Sequence, residues 1–233
     1  MTTVWSHRGY GVENSLTAFQ AAWDLGVDHF ETDIHVTADG QLILAHDRSI
    51  SRLTGRDLNI DELKYTELQQ FPIQGKESWP TLSDLLSTFG TAKVSIDMKS
   101  PNSLFPLVQL LESNIDYRER VIVGSFSSKR VEKFRSLMPE VNTALTVKEI
   151  LRLKTTGKIS NPEGKYAMVP HKFLGRSFLS NRIVELLNES KIPVHVWTVN
   201  ELESFDRCKK LGVDGVVTDE VPLAKSFFEQ HSG

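Results

Sequence analysis

Residues 29–47 read His29-Phe30-Glu31-Thr32-Asp33-Ile34-His35-Val36-Thr37-Ala38-Asp39-Gly40-Gln41-Leu42-Ile43-Leu44-Ala45-His46-Asp47. Alternation along an extended chain sends Glu31, Asp33 and His35 to one face, and Phe30, Thr32 and Ile34 to the other. Two carboxylates two residues apart stand ~6.6 Å apart along a strand, near enough to share one metal ion or one substrate. Ala38-Asp39-Gly40 is a turn signal, so the strand continues as a hairpin into 42–46. Its charged face leads to the C-terminal end, which is where barrel active sites lie.

The pattern repeats downstream. In 93–98, Val94, Ile96 and Met98 alternate with Ser95 and Asp97, and Lys99 follows on the acidic side. Further β-branched runs fall at 4–7, 121–125, 142–147, 166–170, 194–199 and 215–218. Helical patterns separate them at 15–25, 82–89, 104–113, 129–138, 147–153, 181–190 and 201–211, and a last helix follows Val221-Pro222. Eight strand–helix units in 233 residues average roughly 29 residues each, the size of a βα repeat in a closed barrel. The expectation is a single α/β domain over 1–233, a (β/α)8 TIM barrel with a short insertion at about 48–80, after strand 2. An open doubly wound sheet is the alternative, but neither G-x-G-x-x-G nor a P-loop pattern occurs.

Composition narrows the function. The chain is 39% hydrophobic and 24% charged, so it can bury its own core. Cys208 is the only cysteine, which excludes an intrachain disulfide and a cysteine-rich zinc site. A net charge of −3 argues against nucleic-acid binding through a generally basic surface. No signal-like start and no apolar run of ~18 residues is present, so the expected compartment is cytoplasmic, with no transmembrane segment.

Taken singly, each polar residue has an ordinary explanation. A strand-end acid can cap a helix, and a lone histidine is more often structural than catalytic. Together they argue differently. Buried carboxylates without cations are costly, so Glu31, Asp33 and Asp97 imply a metal or basic partners. Oxygen donors suit a hard ion, Mg²⁺ or Ca²⁺. His7 ends the first strand beside Arg8, a bidentate phosphate donor, and His46 ends the hairpin beside Asp47. Two imidazoles at a phosphorus would serve as base and acid. Asp47 is expected to orient the His46 loop, Asp219 to cap a helix, and His195 to be a hydrogen-bonded core histidine. His35, Phe126, His171 and Lys172 are peripheral candidates for substrate contact. Trp197 either packs or walls the substrate pocket.

In order, His7-Arg8-Gly9, Glu13-Asn14, Glu31-Thr32-Asp33, Asp39-Gly40, His46-Asp47, Trp79-Pro80-Thr81-Leu82, Asp97-Met98-Lys99, Trp197-Thr198-Val199-Asn200 and Gly212 to Asp219 resemble the glycerophosphodiester phosphodiesterase family. The resemblance runs from residue 4 to about 224. It implies a barrel that hydrolyses a small-molecule glycerophosphodiester to sn-glycerol 3-phosphate and an alcohol. It also implies one divalent cation on Glu31, Asp33 and Asp97, and catalysis by His7 and His46. Substrate binding would fall to Arg8, Lys99, Glu13 and Trp197. The chain departs from the family pattern in having Asp97 where Glu is usual. Its spacer Tyr10-Gly11-Val12 is also short.

Charge fits that reading. Glu13, Glu31, Asp33 and Asp97 carry four negative charges, balanced only when a divalent ion joins Arg8 and Lys99. Rival expectations are a lysophospholipase D-like enzyme acting on acyl-bearing substrates, a barrel glycosidase using paired carboxylates, and a non-catalytic phosphodiester-binding relative.

Overall fold

The computed structural model describes residues 2–158, 163–173 and 176–230. In chain order the elements are β1 (Thr3–His7), α1 (Leu16–Asp24), β2 (His29–Val36), β3 (Leu42–Leu44), α2 (Ser51–Thr54), α3 (Tyr65–Leu68), α4 (Leu82–Thr88) and β4 (Lys93–Met98). Then follow α5 (Leu104–Ser113), α6 (Ile115–Arg118), β5 (Val121–Gly124), α7 (Ser128–Leu137), β6 (Asn142–Thr143), α8 (Val147–Thr156) and β7 (Ala167–Pro170). The last are β8 (Lys172–Phe173), β9 (Arg176–Ser177), α9 (Asn181–Glu189), β10 (Val194–Trp197), α10 (Leu202–Leu211), β11 (Gly215–Thr218) and α11 (Val221–Gln230).

The parallel strands run in the order β6-β5-β4-β2-β1-β11-β10-β7. A parallel bridge between Ala144 and Tyr166 joins the two ends. There the Leu145 N–H donates to Tyr166 O at 2.7 Å, and the Lys165 N–H to Thr143 O at 2.8 Å. The ring is therefore the expected (β/α)8 barrel, sealed on its far side by the register of β1 against β11, Thr3 opposite Gly215 through Ser6 opposite Thr218.

Alternation positions the site. The outward residues Phe30, Ile34, Val94, Ile96 and Met98 pack under the helices with Phe19, Leu85, Leu107 and Phe134. That leaves the inward side of β2 and β4 to Glu31, Asp33, Ser95 and Asp97. Lower in the barrel the interior is aromatic and apolar, with Trp5, Ile122 and Val217 backed by Tyr166 and Met168. Local chemistry starts the helices as read: Ser15 Oγ accepts from the Ala18 N–H, and Thr81 with Asp84 and Thr146 with Glu149 form capping boxes.

Two segments go beyond the expectation. The insertion has its own core, Ile43, Ile50, Ile60, Leu68, Ile73 and Trp79, with Val12 of the β1–α1 loop packed against it. Lys172, a candidate for substrate contact, belongs to a small antiparallel strand pair, β8 with β9.

Candidate active site

The site begins in the turn after β1. Arg8 and Asn14 both take left-handed backbone conformations. The turn is closed by the Asn14 N–H donating to Arg8 O at 2.8 Å, and by Thr32 Oγ1 donating to buried Asn14 Oδ1 at 2.8 Å. Gly9 is needed here: a Cβ would stand 2.7 Å from the Ala18 backbone, and its φ is +85°. The turn delivers Arg8 into the barrel mouth, where its Nε lies 2.8 Å from Asp33 Oδ2.

Register brings the carboxylates side by side. Asp33 is opposite Asp97 across β2 and β4, and Glu31 is opposite His7 across β1 and β2. Lys99 Nζ bridges Asp33 Oδ1 and Asp97 Oδ2, each at 2.7 Å. Burial works against the Lys99 charge, but Asp97 and Asp33 outweigh it and hold the ammonium above its usual value. Burial, reinforced by Asp33, pushes the Glu31 carboxyl well above the ordinary carboxylate range. Burial raises Asp97 too, partly offset by Lys99.

Among the described residues each of these three carboxylates keeps one buried oxygen without a hydrogen bond: Glu31 Oε2, Asp33 Oδ2 and Asp97 Oδ1. Arg8 is near Asp33 Oδ2 but out of line for a hydrogen bond. Among the described residues no three His, Cys, Asp or Glu side chains are grouped so that they could hold a metal ion as they stand. The three open oxygens nonetheless match the donor set of a hard divalent cation, and buried anions of this kind call for positive charge.

Both histidines named from the sequence are at the mouth, and each has an aspartate on Nδ1. His7 Nδ1 donates to Asp219 Oδ1 at 2.6 Å, and its Nε2 lies 3.8 Å from Glu31 Oε2. His46 Nδ1 donates to Asp47 Oδ1 at 2.7 Å. A carboxylate can only accept, which assigns the proton to Nδ1 and leaves Nε2 bare in the neutral ring. Both aspartates are held below their usual range. Burial opposes this in each, but hydrogen bonds from Arg52 and His46 outweigh it at Asp47, and those from His7 and Asn200 do so at Asp219.

Asp47 therefore orients His46 as expected. Asp219 does not act as the expected helix cap. Its carboxylate is taken by His7 and by Asn200 Nδ2, which donates at 2.7 Å. A cap is the local reading of an acid before a helix, whereas the partner here is 212 residues away. The position at the C-terminal end of the last barrel strand was the available signal. His35 is buried, with Nε2 donating to His46 O at 3.2 Å, so it supports the histidine loop. His195 is buried as expected, between the rings of Trp5 at 5.0 Å and Tyr166 at 5.6 Å, but ring packing replaces the expected hydrogen bond at Nδ1, which has no partner among the described residues.

Glu13 is 3.7 Å from Arg8 Nη1, and the insertion also reaches it through Arg52, which nothing in the local sequence singled out. Phe126 is two-thirds exposed, with Lys99 Nζ 5.4 Å from its ring centre and Trp197 edge-on at 5.8 Å. Beside Trp197 a cavity of about 330 Å³ opens, lined in part by His171, Lys172, Asn200 and Glu201. Among the described residues no helix is long and apolar enough to cross a membrane.

The chain is similar to known proteins over nearly its whole length. The family model described as "Glycerophosphoryl diester phosphodiesterase family" matches residues 6–223. A glycerophosphodiester phosphodiesterase of Caldanaerobacter subterraneus is 28% identical, over 94% of this chain and 94% of its own. A lysophospholipase D of Mus musculus is 28% identical, over 97% of this chain and 86% of its own. The structure of an Oleispira antarctica phosphodiesterase, solved with the product sn-glycerol-3-phosphate, superposes with a TM-score of 0.81 at 20% identity. It covers 98% of this chain and 97% of that one. With its strands, its strand-end acids and its matched length, the chain belongs to the glycerophosphoryl diester phosphodiesterase family, and by that membership is a phosphoric diester hydrolase.

Proposed function

We propose that the protein hydrolyses glycerophosphodiesters to sn-glycerol 3-phosphate and an alcohol. One observation carries this reading: two imidazoles, each fixed at Nδ1 by its own aspartate, stand at one barrel mouth with Arg8 and Lys99. Arg8 and Lys99 bind the phosphate and stabilise charge that grows on its oxygens. Trp197 walls the substrate, and the cavity beside it receives the departing alcohol. One histidine takes a proton from the nucleophile at Nε2, and the other returns one to the leaving oxygen.

Glu31, Asp33 and Asp97 would hold one divalent cation, Mg²⁺ or Ca²⁺, through the oxygens they leave open. Such an ion supplies Lewis acidity and offsets the carboxylate charge. Arg52, Asp47 and Asp219 also stand at the site. With them, and with Arg130 whose charge reaches Asp97, the balance without a metal stays at two negative charges, which one divalent cation would offset.

Release of glycerol 3-phosphate from a panel of glycerophosphodiesters tests the reading. We expect release that EDTA abolishes and Mg²⁺, Ca²⁺ or Mn²⁺ restores. No metal-dependent release from any panel member would overturn it.

An acyl-bearing substrate is a second reading, favoured by the apolar residues around the mouth. Phe126, Leu202, Val147 and Tyr10 are exposed, and all follow strand C-termini. Ile73 and Trp79 of the insertion contribute nothing to this rim, being fully buried. Faster turnover of lysophosphatidylcholine than of glycerophosphocholine would select this reading.

A further inference from the structure

The insertion sends one cation into the site. Arg52, at the second position of α2, uses three nitrogens on two carboxylates from different parts of the chain. Its Nε donates to Asp47 Oδ2 at 2.6 Å. Its Nη1 and Nη2 donate to Glu13 Oε2 and Oε1 at 3.0 and 2.5 Å. The second oxygen of Asp47 accepts from His46 Nδ1. We propose that Arg52 is a positioning residue through which the insertion sets the orientation of His46 and restrains Glu13. This rests on the acid/base role given to His46 above.

The geometry assigns two effects to one side chain. Asp47 is held from both sides, by His46 on one oxygen and Arg52 on the other, so its carboxylate plane, and with it the imidazole, is fixed. Glu13 meets Arg52 in a two-point contact, whereas Arg8 is farther off at 3.7 Å. Without Arg52, Glu13 would draw on Arg8 and compete with phosphate for that cation. A planar fork of donors can satisfy both carboxylates at once, whereas a lysine presents a single point charge. Arg52 is about half exposed, where ion pairs add little to stability. Its three contacts therefore orient groups more than they hold the fold, and the insertion's buried core is independent of it.

The test compares wild type, Arg52→Met, Arg52→Lys, Asp47→Asn and the Arg52→Met/Asp47→Asn double variant on glycerophosphocholine with Mg²⁺ or Ca²⁺. We expect Arg52→Met to lower kcat roughly 10–100-fold with melting temperature unchanged, because a partner that orients a reacting group costs about that much. KM should rise as Glu13 turns to Arg8. Arg52→Lys should recover part of kcat, and added guanidinium should partly rescue Arg52→Met. The double variant should have no lower kcat than Asp47→Asn, since the two act on His46 along one path, while its KM should rise as in Arg52→Met. Ring nitrogen NMR of His46 should show a single Nδ1–H tautomer in wild type and a mixture in Arg52→Met. Turnover of Arg52→Met within about twofold of wild type overturns the inference, as do fully additive losses or an unchanged His46 signal. If wild type itself releases no glycerol 3-phosphate, the proposed function fails and the NMR comparison alone decides the role of Arg52. If Arg52→Met does not fold, Arg52→Lys carries the same comparison.

Discussion

His7 and His46 are held alike and built differently. Each presents Nδ1 to an aspartate at about the same distance, 2.6 and 2.7 Å. The aspartate of His46 is the next residue. The aspartate of His7 is 212 positions on and arrives only because β1 and β11 are neighbours in the ring. One pair is a local loop feature braced from an insertion, and the other is a product of barrel closure. Equivalent chemistry can thus depend on very different amounts of the fold.

The largest expected effect removes the rings themselves. His7→Ala and His46→Ala should each lose about 10³-fold in turnover while still melting cooperatively, because general acid and base groups contribute on that scale. Glycerol 3-phosphate release with thermal melts checks this, and near-normal rates in either variant would remove that histidine from the mechanism. Asp219→Asn comes next. An amide can turn a donor to Nδ1 and so favour the wrong tautomer, and a loss in kcat of roughly 10²-fold is expected, the upper end for a partner that orients a functional group. If the two pairs are equivalent, Asp47→Asn should match it. A clearly smaller loss would show that the bracing around His46 compensates. Asn200→Ala is expected to cost roughly tenfold, since Asn200 steadies Asp219 through its carboxylate and its backbone N–H.

His195 sharpens the contrast as a histidine with no aspartate. Its Nδ1 has no hydrogen-bond partner among the described residues, and burial lowers its pKa to about 4 from 6.5. Between those values the unfolded chain binds a proton that the folded chain refuses. The cost is absent above pH 6.5 and grows as pH falls toward 4, up to on the order of 3 kcal/mol. His195→Leu should therefore shrink the drop in melting temperature between pH 7 and pH 4.5 and leave kcat almost unchanged. An equal drop in both proteins would assign the acid sensitivity to other groups.

The sequence was most legible where physics is local. Period-two alternation separated Phe30 and Ile34 from Glu31 and Asp33, and packing under the helices follows that division. The turn after His7 was visible as a motif, though the need for Gly9 to meet Ala18 closely was not. Long-range partners were beyond reach. Asp219 had a sufficient local explanation as a cap, and only ring closure supplies the better one. Arg52 sits in a polar stretch with no periodicity, and the small core beneath it, from Ile50 to Trp79, is spaced irregularly. The β8–β9 strand pair is only two residues on each side, too short for a pattern to announce.

The pairing of β1 with β11 also has a meaning in time. Chains emerge from the ribosome N-terminus first, at roughly 5–20 residues per second. His46 leaves with its aspartate directly behind it. His7 waits for Asp219, 212 residues later, or roughly ten to forty seconds at that pace. A nascent chain therefore carries every carboxylate of the proposed metal site long before His7 meets the aspartate that orients it.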